Sequence, residues 1–482
     1  MPKISPIQVV KYLPGTNCAE CGQDTCMAFA VKLLDHQVKI EDCKPLIKEK
    51  KYAKKLKDLR DLVTPPIRSI TIGTGDSTLE IGGEEVLYRH ELTYYKKTPI
   101  FLDVSDEDEA EIVRKVKYIK DFTIYRLGAN FYLQGIALRA KSNTPSTFAN
   151  AVKTCLKTAD LPIILCSLNP DVLKAGLEAA KGKNPLLYAA TKDNWEAIGK
   201  LALEYNCGVV VFSEDLNELK SIAKSLAMGG VEKIALDPGT CAGEGIVADT
   251  YNKHMMLKKS AIHKGDKDIG WPTIGVTATV WIGKKKDLPE GERISLAYEE
   301  GKLASMLIAN ACNLLIQHTE DVWFQLAMLV VKDNIYADPR INPAVDAKLY
   351  EIGTPGPKDP VFMTSNYTMT YYTVESDLKD MKINAWLLIV DTEGISVESS
   401  VAGGQMNAGK VAEAIKEVGL EDKVEHRIII IPGLAARISG ELESLANWKV
   451  LVGPRDSSGI PDLMKKYWDL DKLMAQWKEM QE

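Results

Sequence analysis

Cys18, Cys21, Cys26 and Cys43 are the residues whose type and spacing speak most directly of chemistry: C-x2-C-x4-C, then sixteen residues, then a fourth cysteine. Four thiolates make a tetrahedral sulfur cage, which suits a 4Fe-4S cluster or a structural zinc ion. The x4 gap departs from the tight pairs of a zinc ribbon, and Pro45 follows Cys43 closely, as in many cluster loops. The spacing therefore favours a redox centre. The other five of the nine cysteines, Cys155, Cys166, Cys207, Cys241 and Cys312, stand mostly in apolar strand contexts, where buried free thiols are expected.

A second group of candidates lies toward the C-terminus. Open parallel sheets bind ligands at the carboxyl ends of their strands, where loops and helix N-termini present backbone donors. Here those ends read Thr364-Ser365-Asn366, Asp391-Thr392-Glu393-Gly394-Ile395-Ser396, Pro432-Gly433-Leu434-Ala435-Ala436 and Gly453-Pro454-Arg455-Asp456-Ser457-Ser458. Small residues also make tight turns, but four such loops on one edge predict a bound ligand. The run Ala402-Gly403-Gly404 would let a bulky planar ligand come close. There is no G-x-G-x-x-G and no Walker sequence, which argues against a dinucleotide or triphosphate. None of the six histidines sits in D-x-H-x-x-G, so any corrinoid here would lack a protein histidine beneath its cobalt. Asp237 ends the segment KIALD before Pro238-Gly239, a place where barrel enzymes put functional groups and where turn aspartates also occur.

The elements that must position these residues follow from periodicity and punctuation. Ser5-Pro6 offers an N-cap and a first-turn proline for a short helix, and CMAFAVKLLD reads as a helix with Cys26 at its start. A lysine-rich connector, KPLIKEKKYAKKLKDLR, is helical in character and stops at Pro65-Pro66. Its lysines suit a solvated face, or a dock for an acidic redox partner. From Ile67 to Asp103 the pattern is β-rich, with a turn at Gly82-Gly83 between TLEI and EVLYRHELTYY. Then FTIYRLG, PIILCS, LLYAA, GVVVFS, KIALDPG, PTIGVTA and CNLLIQH alternate with helical stretches, which implies parallel strands and a TIM-type barrel, with a doubly wound sheet as the alternative. After the Gly/Pro-dense YEIGTPGPKDP the rhythm repeats on a smaller scale, as an open α/β (Rossmann-like) domain built on VFMTSN, AWLLIVD, HRIIIIPG and WKVLVGP. The expected domains are 1–62, 63–345 and 346–482.

Composition sets the outer bounds. A chain of 482 residues, 45% hydrophobic and 26% charged, is multidomain globular material. A net charge of -6 gives no basic footprint for nucleic acid. No apolar run is long enough for a spanning helix and the start lacks a signal-peptide core, so a cytoplasmic protein without membrane contact is expected, with metal rather than disulfides at the clustered cysteines.

The strings NCAECGQDTCMAFAVKLL, DCKPL, EVLYRHELTYY, NPLLYAATKDNW, LDPGT, SNYTMTYYTVESDL, DTEGISVESSVAGGQ and IPGLAAR, spread over essentially the whole chain, resemble the large (gamma) subunit of the corrinoid iron–sulfur protein of the acetyl-CoA decarbonylase/synthase system, in the versions found in methanogenic archaea. The resemblance implies a 4Fe-4S module, a TIM barrel and a C-terminal corrinoid domain. It implies a methyl carrier in one-carbon metabolism and methanogenesis: cobalt accepts a methyl group from a methyl-tetrahydropterin through a methyltransferase and passes it to the Ni-Fe-S cluster of acetyl-CoA synthase. It also implies a heterodimer with the small (delta) subunit, alongside acetyl-CoA synthase and carbon monoxide dehydrogenase subunits. Carried over by residue, cluster ligation falls on Cys18, Cys21, Cys26 and Cys43. Base-off, cobalamin-type corrinoid contacts fall on Thr364, Ser365, Asn366, Thr370, Tyr371, Gly394, Ile395, Ser396, Val397, Gly403, Gly433, Leu434 and Ala435, with Ser399 and Ser400 near the lower face of cobalt. No acid/base pair is expected to be indispensable to the transfer. Two rival functions fit parts of the chain: a pterin-dependent methyltransferase using the barrel and Asp237, and an electron-transfer or scaffold protein.

Overall fold

The structure, a computed structural model, describes residues 4–241, 247–285 and 287–479. The described chain divides into two compact units, residues 1–124 with 131–338, and residues 125–130 with 339–482.

The first unit is built on eight parallel strands: β1 (Ile100–Ser105), β2 (Gly135–Arg139), β3 (Ile163–Cys166), β4 (Leu186–Ala190), β5 (Gly208–Phe212), β6 (Ile234–Asp237), β7 (Ile274–Val276) and β8 (Leu314–Gln317). Neighbours pair in the order β6-β5-β4-β3-β2-β1-β8-β7, and the bridge Leu236↔Thr273 brings the two edges together, nearly closing a barrel. Strand residues of one parity, Phe101, Ala137, Ile164, Leu186, Val210, Ala235, Ile274 and Leu314, fill the interior. The other parity packs under the surrounding helices, as expected of a β/α barrel whose strands are buried on both faces. A small antiparallel hairpin, Ile70–Ile72 with Leu79–Ile81, closes the N-terminal end: Ile70, Ile72 and Ile81 join the interior core, and Asn184, just before β4, donates to the carbonyls of Thr71 and Gly73. That leaves the C-terminal end as the mouth.

The barrel is as read from the sequence, but not all of its strands are. FTIYRLG is not a barrel strand. Leu127 and Gly128 both have positive φ (49° and 77°), the two-residue turn that suits strand twist, so Thr123–Arg126 folds back on Ala129–Tyr132 as a separate ribbon. The missing members are β1, hidden in the preceding β-rich stretch, and β2, only five residues long. EVLYRHELTYY forms no strand, and the first hairpin turns at residues 73–78 instead of Gly82-Gly83.

The cysteine-bearing segment belongs to the first unit. Ser5 caps Pro6–Val10 through a capping box, Cys26–Leu34 is the second helix, and the lysine-rich connector is broken into Lys44–Lys48, a 3-10 turn Lys50–Tyr52 and Ala53–Val63. Val9, Leu13, Phe29, Leu33, Leu46 and Leu59 form its small core. His36 ties it to the loop before β1, with Nε2 2.7 Å from Glu85 Oε1.

The second unit is an open sheet in the order β9-β11-β10-β12-β13, where β9 is Leu349–Ile352, β10 Val361–Ser365, β11 Ala385–Val390, β12 Ile428–Ile431 and β13 Lys449–Val452. β9 runs antiparallel at the edge, a strand the sequence reading placed inside a boundary. The other four are parallel. Alternate residues feed two cores, Val361, Met363 and Leu388 on one face and Phe362, Leu387 and Ile430 on the other, which is the pattern of a sheet covered on both sides.

Candidate functional site

The cysteine loop is shaped by backbone turns. Gly22 sits at φ 75°, a region glycine enters without cost. Asn17 Oδ1 accepts from the Cys26 N–H at 2.8 Å, and Thr25 caps the helix that Cys26 begins, its Oγ1 accepting from Ala28 N–H at 3.0 Å. Cys26 thus stands at a helix N-terminus. Cys18, Cys21, Cys26 and Cys43 all line one small pocket with Phe29 and Pro45. Burial pushes the Cys43 thiol up, a hydrogen bond from Leu46 N–H pulls it back, and the sulfurs of Cys21, Cys26 and Cys18 raise it again. Among the described residues, no group of three or more His, Cys, Asp or Glu is arranged to hold a metal ion. The four sulfurs share one pocket, a donor set that suits an iron–sulfur cluster or a zinc ion. The other five cysteines are free, with Cys155, Cys207 and Cys312 buried.

At the carboxyl edge of the open sheet a cavity of about 400 Å³ has an apolar floor that includes Phe362, Met363, Ile430 and Ile431. Of the residues singled out in the sequence, Thr364, Thr370, Ser396, Val397 and Leu434 line it, as do Pro432 and Gly453 to Ser457. Thr364 and Ser365 are buried, and neither hydroxyl has a hydrogen-bond partner among the described residues. A buried hydroxyl left unpaired costs about 1–3 kcal/mol; Thr364 lines the cavity, where a ligand would satisfy it, whereas Ser365 is not part of the lining. At Gly433 a Cβ would meet Gly453 O at 2.8 Å; only glycine lets the loops after β12 and β13 come this close.

The remaining candidates do other work. Asn366 Oδ1 accepts from Thr392 N–H (3.0 Å), Thr392 Oγ1–H (2.9 Å) and Gly394 N–H (3.0 Å), while its amide donates to Asp391 Oδ1 at 2.9 Å. It therefore holds the loop 391–396 in place, with Glu393 and Gly394 both at positive φ and Thr392 Oγ1 reaching Ile395 O. Tyr371 is buried in the sheet core against Tyr350, ring centroids 4.7 Å apart. Ser400 donates to Val397 O at 3.0 Å inside the helix Val397–Gly403, Ser399 is exposed beside Ser396, and Gly403 is exposed at that helix's C-terminal end. Ala435 is buried in the core. Sequence reasoning missed Met369, Thr373 and Val374 as lining residues. Together with Thr370 they recur at one-turn spacing on the helix Thr368–Asp380, a signal that could have been read.

In the barrel, Asp237 is a turn aspartate: it accepts from Gly239 N–H at 2.8 Å and from Tyr188 Oη–H at 2.7 Å. Burial raises its carboxyl to about 6 despite those two bonds. Elsewhere in the barrel, Asp103 in the C-terminal half of β1 accepts from Arg139 Nε and Nη2 (3.1 and 3.2 Å) and from His318 Nδ1 (3.0 Å). Burial alone would raise Asp103, but His318 and Arg139 hold it at about 2. It is ionised, so His318 Nδ1 carries the proton.

A family model described as "CO dehydrogenase/acetyl-CoA synthase delta subunit" matches residues 69–464, and one described as "Putative Fe-S cluster" matches residues 13–45. The chain is 48% identical over 469 residues to acetyl-CoA decarbonylase/synthase complex subunit gamma 1 of Methanosarcina mazei, covering 96% of this chain and 98% of that one. It is 42% identical over 470 residues to subunit gamma of Archaeoglobus fulgidus (96% and 98%), and 36% identical over 486 residues to subunit gamma of Methanocaldococcus jannaschii (99% and 98%). Among solved structures, dihydropteroate synthase of Thermus thermophilus is similar at TM-score 0.38 and 15% identity, covering 56% of this chain and 100% of that one.

Proposed function

Because the chain belongs to the family of acetyl-CoA decarbonylase/synthase complex gamma subunits, we propose that it is the methyl carrier of such a complex, holding a corrinoid in its second unit and a 4Fe-4S cluster on its N-terminal cysteines. The observation that carries this reading is the edge of the open sheet: four loops rich in small residues beside a cavity with an apolar floor, with the Thr364 hydroxyl buried in its lining and without a hydrogen-bond partner among the described residues. A corrinoid is rimmed with neutral amides and is far larger than 400 Å³. The loops 391–396 and 432–436, with the cavity beside them, would hold it. Thr364 and Ser396 would bond its polar groups, Gly433 would permit close approach, and Asn366 would hold the loop.

A corrinoid supplies the cobalt that takes a methyl group from a methyl-tetrahydropterin and yields it to the Ni-Fe-S cluster of acetyl-CoA synthase. Among the described residues the second unit has a single histidine, His426, whose two nitrogens are used by Asp359 O and Ile428 N–H. It precedes β12, at the end of the strand opposite the cavity. That placement supports cobalt without a protein imidazole, a state more easily kept reduced. A low-potential cluster on Cys18, Cys21, Cys26 and Cys43 would supply the electron that restores Co(I). The protein's share is to bind and orient, as is usual for cofactor chemistry. Its partners would be the delta subunit, a methyltransferase, and the acetyl-CoA synthase and carbon monoxide dehydrogenase subunits, in a soluble cytoplasmic assembly. No helix among the described residues is long and apolar enough to cross a membrane.

The test is metal analysis and absorption spectroscopy of the chain co-expressed with its delta subunit. About one cobalt and about four iron per chain are expected; zinc without cobalt would sink the reading.

A further inference from the structure

Near its start the second unit carries a short stretch of chain, residues 342–345 ahead of β9, that is fastened to the two loops bordering the cavity. Asn342 Nδ2 donates to Glu393 O at 3.0 Å, the Val345 N–H to Asn366 O at 2.9 Å, and the Thr368 N–H to Pro343 O at 3.1 Å. Ala344 pairs with Tyr367 as an antiparallel bridge. At Gly394 a Cβ would meet Asn342 Cβ at 2.8 Å, so this stretch sits directly against the loop 391–396. The bond from Thr368 does more than hold the chain. Tyr367, at the start of the helix Thr368–Asp380, makes no side-chain cap, and Pro343 O accepts from one of the first-turn N–H groups that a helix leaves open.

The same loops line the cavity. Ser396 and Val397 follow closely on Gly394, and Met369 and Thr370 stand in the first turn of the helix that Pro343 O caps. A ligand held by these residues restrains the loops to which residues 342–345 are bonded, and that stretch, when fastened, presents the loops to the ligand already in place. It is also cheap to open: Asn342, Pro343 and Ala344 are exposed, and Val345 is half-buried against the core that includes Phe362 and Tyr371. Resting on the corrinoid reading, we propose that residues 342–345 are a strap coupled to cofactor loading, one that opens transiently in the corrinoid-free chain, is held closed when the corrinoid is bound, and in closing strengthens the corrinoid's hold. Asn342 is thus a positioning residue that acts through Glu393 and Gly394. Linkage makes the coupling reciprocal: the factor by which the closed strap tightens the ligand equals the factor by which the ligand suppresses opening of the strap.

The probe is hydroxocobalamin, added to the corrinoid-free full chain in complex with its delta subunit, with uptake read by absorption and by cobalt retained after desalting. Loading should slow hydrogen exchange at the Val345 and Thr368 amides roughly 5- to 150-fold, the usual range of such coupling. The variant Asn342→Ala/Val345→Pro/Thr368→Pro removes all three donors, and proline suits position 368 because Tyr367 already has the extended backbone (φ -61°, ψ 122°) that a residue before proline takes. It should bind hydroxocobalamin more weakly by the factor measured at the parent's two amides, with its iron content unchanged. Parent protein that takes up hydroxocobalamin with no change in exchange at those amides overturns the proposal and leaves the corrinoid reading standing, and that measurement decides whether or not the variant folds. A folded variant that binds as tightly as the parent, or one whose loss departs from the exchange factor by more than about threefold, also overturns it. Parent protein that takes up no hydroxocobalamin brings down the corrinoid reading itself.

Discussion

Removing the side chain of Asn366 tests whether the loop 391–396 is held by a single buried amide. In Asn366→Ala the loop loses one oxygen that accepts three hydrogen bonds. The Thr392 hydroxyl keeps a partner in Ile395 O at 2.7 Å, so two backbone N–H groups, those of Thr392 and Gly394, are stranded. At about 1–3 kcal/mol for each buried donor left unpaired, the closed loop loses roughly 2–6 kcal/mol. The loop runs through positive φ at Glu393 and Gly394, and a methyl group in place of the amide has nothing with which to hold it there, so the loss should appear as opening of residues 391–396 and not as global unfolding. Hydrogen exchange read by mass spectrometry measures that directly: at about 1.4 kcal/mol per decade, even the low end means exchange roughly 30-fold faster at these amides. Corrinoid occupancy of the purified complex should fall with it. Asn366→Asp keeps the acceptor and gives up only the bond to Asp391, at the cost of a like charge opposite it, and should fall between parent and Asn366→Ala. Wild-type exchange across 391–396 in Asn366→Ala, with cobalt retained, would refute the reasoning.

Other outcomes follow from the same geometry. Serine at any one of Cys18, Cys21, Cys26 or Cys43 should remove most of the iron measured per chain, whereas Cys155→Ala or Cys207→Ala, buried outside that pocket, should leave the iron content unchanged. Gly433→Ala should lower cobalt occupancy while iron stays constant, because its Cβ would press on Gly453 O at 2.8 Å and on Pro454 C at 2.9 Å and spread the two loops. For Asp237, burial raises the folded carboxyl to about 6. Its stabilising contribution is therefore full below the unfolded value of about 3.9 and is lost as pH rises through 6, about 3 kcal/mol in all. Asp237→Asn cannot ionise, and the Tyr188 hydroxyl can turn to accept from the new amide, so the variant should gain about that much relative to the parent between pH 4 and pH 8; parallel urea midpoints at the two pH values would contradict this.

What could be read from the sequence was local. The four cysteines declare themselves by spacing alone, the helix start at Ser5-Pro6 by its capping chemistry, and the four parallel strands of the open sheet by runs such as IIII and AWLLIV, buried along their whole length. What could not be read depended on distant partners. Asp103 and His318 are 215 residues apart in the chain, and neither stands in a motif, so the mouth of the barrel was invisible until its strands were placed in order. Strand identity failed where length or alternation misled: β2 offers five residues beginning with Gly135 and ending at Arg139, while Thr123–Arg126 has a strand's composition but the exposure of a surface ribbon. Tyr371 shows the same limit in the second unit. Its neighbour Thr370 lines the cavity, yet one step along the helix, about 100° around its axis, turns Tyr371 into the core.

Both units put their polar groups at the carboxyl ends of parallel strands, but they spend them differently, and the difference separates the chemistry expected of each. At the barrel mouth the charges are matched before any ligand arrives: Asp103 is bonded by Arg139 and His318, Asp237 by Tyr188 and Gly239, and Glu300 by Trp281 and the His318 and Thr319 amides. Such bonding orients the side chains of the mouth before any ligand is bound, although for Asp237 it does not fully offset the cost of burial. At the open sheet the cavity floor is apolar, and its rim carries the neutral Thr364, Thr370, Thr373 and Ser396 together with the charged Glu398, Arg455 and Asp456. Thr364 Oγ1 is buried there without a hydrogen-bond partner among the described residues, so a ligand that brings a neutral donor or acceptor would satisfy it.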